Sequence, residues 1–278
     1  MKILTGGCSF SAHLIEENLA WPYHLQQKGF DVFNSAEMAS GNQIISDRIC
    51  WALSQKAYDR CVVMWSNPYR FELFLNKENE NYDKIHEEMS NDSAYTNFFL
   101  SGESQSTSNS NWIRTGGGYG LWNFKNKDLN KITNNYLKYH FNYEYQFIQT
   151  CKSIVMVQLL CKTLNIKLIN TCWQNIWDDL YDCNNSITGS NWIDNTTLEN
   201  LKNGNIVYKP IIDKYPNAQH WYNLIDWNTW IFYETADVKR GGLGEFAVIE
   251  NNDVLINSHP NRSSQEKWAS FLVEKLQC

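Results

Sequence analysis

Residues 61–65 constrain the fold more than any other segment of this chain. Their sequence, Cys-Val-Val-Met-Trp, is apolar throughout. A short continuous apolar run is typical of a strand that is buried on both faces of a parallel sheet. Such a sheet needs helices on both of its faces, so the rest of the chain is expected to supply them.

The segments around this run alternate between strand and helix patterns. An apolar run at 2–5 ends in Gly6-Gly7, and Pro22 opens a helix that stops at Gly29. Alternation with short connections favours parallel, right-handed crossovers. The predicted fold is therefore a three-layer α/β/α sandwich with a parallel sheet of about five strands, similar to flavodoxin. The predicted strands are 2–5, 31–34, 61–65, 166–170 and 254–256, and the predicted helices begin near 22 and 41 and span 143–164 and 264–276.

Two segments interrupt this alternation. Residues at about 75–140 are rich in Asn, Ser and Gly, and residues 172–245 are irregular and rich in Trp. Neither shows a sustained helical or strand period. We interpret residues 1–278 as a single domain with these two segments as insertions, and the late tryptophans as core residues.

Composition excludes several classes of function. The 278 residues carry a net charge of -6 with Lys and Arg scattered, so no nucleic-acid or anionic-membrane surface is expected. No run is long enough to span a bilayer and no secretory signal is visible, which favours a cytoplasmic protein. The eight cysteines lack zinc-site spacing, and the first loop lacks GxGxxG. No metal and no cofactor are therefore expected.

Chemically useful groups follow the predicted strands. Ser9 follows the first strand, Gly41 the second, Asn67 the third and His259 the last. Loops at the carboxyl ends of parallel strands meet at one edge of the sheet. A hydroxyl, an imidazole, an amide and main-chain N–H groups at one place are the groups that acyl transfer requires.

These segments resemble the sequence blocks of the SGNH, or GDSL, hydrolases. Residues 7–11, Gly-Cys-Ser-Phe-Ser, resemble the first block, and residues 40–42, Ser-Gly-Asn, resemble the glycine block. Residues 61–67 resemble the strand that ends in the block asparagine, and residues 259–261, His-Pro-Asn, resemble the histidine block. The resemblance is closest to a divergent branch found in bacteriophage genomes, which shares Gly-Cys-Ser-Phe and Trp21-Pro22.

The resemblance implies a serine esterase, most often one that removes acetyl groups from carbohydrates. It assigns Ser9 as nucleophile and His259 as general base, with the N–H groups of Ser9 and Gly41 and the amide of Asn67 as the oxyanion hole. Asn257 occupies a position at which the family has the aspartate of the catalytic triad. The implied partner is an acylated carbohydrate or another small ester.

Asn257 is neutral, so another residue would have to supply the carboxylate of the triad. Asp253 and Asp226 are the carboxylates from elsewhere in the fold that we consider as substitutes for it. The alternative function is a virion structural or binding protein of a bacteriophage that keeps the fold with weakened catalysis. Such a protein would be located in the virion, with other virion proteins as partners.

Arg70 and Glu72, after the third strand, are interpreted as a structural ion pair.

Overall fold

The computed structural model describes residues 1–12, 19–37, 40–70, 72–74, 112–114, 131, 135–136, 138–182, 195–253 and 259–276. Within these residues the strands are β1 (Lys2–Gly7), β2 (Asp31–Asn34), β3 (Arg60–Trp65), β4 (Glu72–Phe74), β5 (Trp112–Arg114), β6 (Lys167–Cys172), β7 (Asp178–Asp182) and β8 (Ile206–Pro210). The α-helices in the same residues are α1 (Trp21–Gln27), α2 (Asn42–Gln55), α3 (Tyr143–Thr163), α4 (Asn195–Lys202), α5 (Gln219–Tyr222), α6 (Leu243–Asn251) and α7 (Arg262–Leu276).

The central sheet has the strand order β2-β1-β3-β6, and every pair is parallel. Its inner strands are buried on both faces, because the side chains of Ile3, Leu4, Val62 and Val63 have no exposed surface. The predicted three-layer α/β/α class is confirmed. The strand count is corrected to four in the described residues, and the strand expected at 254–256 lies outside them.

Two groups of helices cover the sheet. α2 packs against α3 and β1, whereas α1 packs against α7, which also contacts α6. The helix predicted at 143–164 is confirmed as α3, and the one predicted at 264–276 is confirmed as α7. None of the described helices combines the length and apolar character needed to cross a bilayer.

The predicted insertions differ in how much of them is described. The one at about 75–140 lies largely outside the described residues. Most of the one at 172–245 is described, and it contains the antiparallel hairpin of β7 and β8. Trp177 and Trp230 are buried there with their ring centroids 5.0 Å apart, as expected of core residues. Its irregular sequence therefore packs as part of the core.

Candidate active site

The loop after β1 holds Ser9 in a tight turn. The Cys8 carbonyl accepts hydrogen bonds from the N–H groups of Ser11 at 2.9 Å and Ala12 at 3.0 Å, so the chain turns as in the first turn of a helix. N–H groups at the start of such a turn have no partner within it. No residue in the described part of the chain accepts a hydrogen bond from the Ser9 N–H, which leaves it available as a donor.

Close packing explains the glycine that precedes this turn. A Cβ atom at Gly7 would lie 2.4 Å from Ser11 Oγ and 2.9 Å from the Met64 carbonyl oxygen. Ser11 itself is structural, because its hydroxyl accepts a hydrogen bond from Trp21 Nε1 at 3.0 Å. The Trp21 N–H donates to Gln265 Oε1 at 3.0 Å, which joins the turn through α1 to α7. The first and last segments of the described chain are thus fixed relative to each other.

Ser9 and His259 are in direct contact. Ser9 Oγ lies 2.7 Å from His259 Nε2, although the residues are 250 positions apart. This is the distance of a nucleophile hydrogen bonded to its base. The imidazole packs on Phe10 with a centroid distance of 4.8 Å, and Phe10 packs on Trp173 at the same distance. Aromatic packing therefore helps to fix the plane of the imidazole.

The two carboxylates considered as substitutes for a triad aspartate are bound elsewhere. Asp253 Oδ2 accepts hydrogen bonds from the Asn261 N–H at 2.8 Å and the Ser264 hydroxyl at 2.7 Å, at the start of α7. Asp226 Oδ1 accepts from the Asn228 N–H at 3.1 Å and lies on the surface. Asp253 thus stabilises the start of the helix that follows His259. Asn257 lies outside the described residues.

A reciprocal hydrogen bond joins the two loops that carry the predicted oxyanion donors. Asn42 Nδ2 donates to the Ser66 carbonyl at 3.0 Å, and the Ser66 N–H donates to Asn42 Oδ1 at 2.8 Å. Asn42 follows Gly41, the N-cap of α2, and Ser66 precedes Asn67. The buried Asn42 side chain therefore sets the spacing between these two donors. Sequence reasoning assigned it no role, although it lies within the Ser-Gly-Asn block.

The orientation of the Asn67 amide follows from its own turn. Its Oδ1 accepts a hydrogen bond from the Tyr69 N–H at 2.8 Å, so Nδ2 is the end of the amide that remains for a ligand. Among the described residues, none accepts a hydrogen bond from Nδ2. Asn67 is 8% exposed and Ser9 is 7% exposed, so both lie in a recessed position. Each donor in such a position is shielded from bulk water, which strengthens its interaction with a developing charge.

A buried ion pair supports the neighbouring loop after β2. Glu37 Oε2 lies 2.6 Å from Arg48 Nη1, and Arg48 Nε donates to the Ser35 carbonyl at 2.6 Å. The Glu37 N–H donates to the Gly7 carbonyl at 3.1 Å, next to the serine turn. This pair is a second supporting contact that the sequence did not reveal, because its partners lie on different elements.

The described residues hold no group of three or more His, Cys, Asp and Glu side chains that could bind a metal ion. A scan of the chain against models of known protein families finds no match. A search of curated proteins likewise finds no relative.

Proposed function

We propose that this protein is a serine ester hydrolase of the SGNH type. Ser9 is the nucleophile, His259 is the general base, and the oxyanion hole consists of the Ser9 N–H, the Gly41 N–H and the Asn67 amide. The observation that carries the proposal is the 2.7 Å contact between Ser9 Oγ and His259 Nε2. The position of Asn67 further supports the proposal, because this residue follows β3, the strand that pairs with β1 and so brings Asn67 to the same edge of the sheet as Ser9.

The reaction follows from this arrangement. Ser9 Oγ attacks the ester carbonyl carbon while His259 Nε2 takes the hydroxyl proton. The carbonyl oxygen becomes an oxyanion that the donors stabilise. The carbon–oxygen bond to the alcohol then breaks, and His259 returns the proton to the leaving alcohol. Water, deprotonated by the same imidazole, attacks the acyl-serine, releasing the carboxylic acid and restoring Ser9.

The recessed position of Ser9 favours a small acyl group such as acetyl. Together with the resemblance to SGNH hydrolases, this supports an acetylated carbohydrate as the substrate. Each step uses side chains, main-chain groups and water. For the compartment we propose the cytoplasm, or the virion if a bacteriophage encodes the chain.

Labelling with a fluorophosphonate probe tests the proposal. The probe should label the wild-type protein, because an activated serine attacks phosphorus as it attacks a carbonyl carbon. Ser9→Ala and His259→Ala should both abolish labelling, while Ser54→Ala, in an exposed position of α2, should not. Absence of labelling in folded wild-type protein would overturn the proposal, and a binding or virion structural protein would then be the better interpretation.

The reciprocal hydrogen bonds between Asn42 and Ser66 lead to a separate prediction. Asn42→Leu should slow labelling per folded molecule by about 10- to 100-fold, because small displacements of catalytic groups cost up to about 100-fold in rate. In ester hydrolysis, kcat normalised to the folded fraction measured by circular dichroism should fall by more than KM rises, because displaced oxyanion donors weaken transition-state binding more than substrate binding. Asn223→Leu, at an exposed helix end, is the matched control. A wild-type labelling rate in folded Asn42→Leu would contradict this role.

A further inference from the structure

We propose that Arg70 binds a carboxylate of the substrate, so that the enzyme acts on acetyl esters of acidic sugars of the uronic-acid class. The inference rests on the proposed function and assigns its substrate more narrowly. It starts from the turn of residues 67–70, which carries both the oxyanion amide and this guanidinium. The Arg70 N–H donates to the Asn67 carbonyl at 3.2 Å and closes the turn.

The turn is firmly anchored. Tyr69 is buried, and the Thr150 hydroxyl donates to the Pro68 carbonyl at 3.4 Å. The Asn67 side chain accepts the Tyr69 N–H inside the same turn. These contacts hold the main chain directly before Arg70, so the guanidinium starts from a fixed point beside Asn67.

The guanidinium reaches from this turn to the loop before α2. Arg70 Nη1 donates to the Ser40 carbonyl at 3.3 Å, and Ser40 directly precedes Gly41. In the sheet, β1 lies between β2 and β3, so the loops that Arg70 joins flank the strand that leads to Ser9. Arg70 is thereby placed at the same edge of the sheet as the serine and both predicted oxyanion donors.

Most donors of this guanidinium have no partner among the residues that the structure describes. An arginine offers five N–H donors, and here Nη1 has the carbonyl of Ser40, whereas the buried Nε has no acceptor in the described part of the chain. Among the described carboxylates none pairs with Arg70, and the side chain of Glu72 is not described. The ion pair expected between Arg70 and Glu72 therefore stays a prediction, and the described contacts give Arg70 the bond to Ser40.

Two other arginines in this protein are paired with a carboxylate. Arg48 pairs with Glu37, and Arg240 pairs with Asp178. Arg60 also lacks a carboxylate partner among the described residues, but it begins β3 at the opposite edge of the sheet from Ser9. Arg70 thus combines an incomplete set of partners with a position at the edge of the sheet that carries Ser9. Its planar fork matches the two oxygens of a carboxylate.

Two sugar esters that differ only in charge test this assignment. O-acetylated glucuronic acid and O-acetylated glucuronamide present the same acetyl group beside a carboxylate or a neutral amide. The wild-type ratio of kcat/KM, acid over amide, should be about 10 to 100, the range expected for hydrogen bonds to a charged group. Arg70→Gln should bring the ratio close to one, while Arg60→Gln should leave it at the wild-type value. A wild-type ratio near one, or an unchanged ratio in Arg70→Gln, would overturn the assignment.

A binding experiment separates this assignment from the proposed function. Calorimetry with Ser9→Ala should detect glucuronate more tightly bound than glucuronamide, and adding Arg70→Gln should remove the difference. If no ester is hydrolysed but this difference is found, the esterase proposal fails and the carboxylate site stands. If 4-nitrophenyl acetate is hydrolysed and the difference is absent, the carboxylate site fails and the esterase proposal stands.

Discussion

Ser9→Ala and His259→Ala should each reduce kcat for an acetyl ester by a factor on the order of 10⁴ or more, as expected when a nucleophile or its base is removed. The double variant should be no slower than the slower single variant. The reason is the 2.7 Å contact: an imidazole without the hydroxyl has no proton to take, and a hydroxyl without the imidazole is a weak nucleophile. Acetate release, followed over hours with 4-nitrophenyl acetate and with an acetylated sugar, measures all three variants.

The non-additivity is the informative part of this experiment. If the two residues acted separately, the two factors would multiply in the double variant, and the assignment of Ser9 and His259 to one relay would be wrong. Ser54→Ala serves as the control for loss of a hydroxyl. Thermal unfolding of each variant shows whether the fold survives the substitution.

Asp178→Ala should lower the free energy of unfolding by about 3 kcal/mol or more, because it leaves a partly buried charge without its partner. Asp178 Oδ2 accepts hydrogen bonds from Arg240 Nε at 3.0 Å and from Asn175 Nδ2 at 2.8 Å, and Arg240 Nη2 contacts its Oδ1. The same Asn175 amide also donates to the Lys239 carbonyl at 2.8 Å. Loss of the carboxylate therefore weakens the connection between β7 and the segment before α6.

Urea unfolding followed by tryptophan fluorescence measures this effect. Asp213→Ala, at an exposed aspartate in the same region, should change the free energy of unfolding by no more than about 0.5 kcal/mol. Replacing the pair together, Asp178→Leu with Arg240→Met, should recover most of the loss, since neither charge then remains unpaired. A loss below about 1 kcal/mol in Asp178→Ala would show that water solvates Arg240 adequately without the carboxylate.

Local patterns predicted the central architecture well. The apolar run at 61–65 indicates a strand that is buried on both faces of a sheet, and the segments around it show the alternation of strands and helices. Each of these properties can be recognised within one segment, without knowledge of its partners. For the same reason, the ends of β2 and β3 were predicted to the residue, whereas β1 and β6 each extend two residues beyond their predicted ends. That is why Ser9, Gly41 and Asn67 were expected at one edge of the sheet, and the structure places all three in loops there.

Side-chain partners could not be predicted in the same way. Asn42 finds Ser66, and Asp178 finds Arg240, only because distant elements approach each other after folding. Asp253 is one of the two carboxylates considered as a substitute partner for His259 from elsewhere in the fold. The structure instead gives it the N–H of Asn261, since a carboxylate close to the start of a helix satisfies groups that otherwise lack partners. The sequence pattern of one segment does not indicate which distant group its polar side chains will bind.

The 250-residue separation between Ser9 and His259 has a consequence for the time at which their contact can form. Protein synthesis proceeds from the amino terminus, so the serine turn leaves the ribosome long before the histidine exists. A nascent chain can form β1, β2 and β3 yet cannot form the contact between Ser9 and His259 until α7 docks against α1. Under the proposed function, an ester therefore meets the complete pair of Ser9 and His259 only after translation has passed α7 and folding is essentially complete.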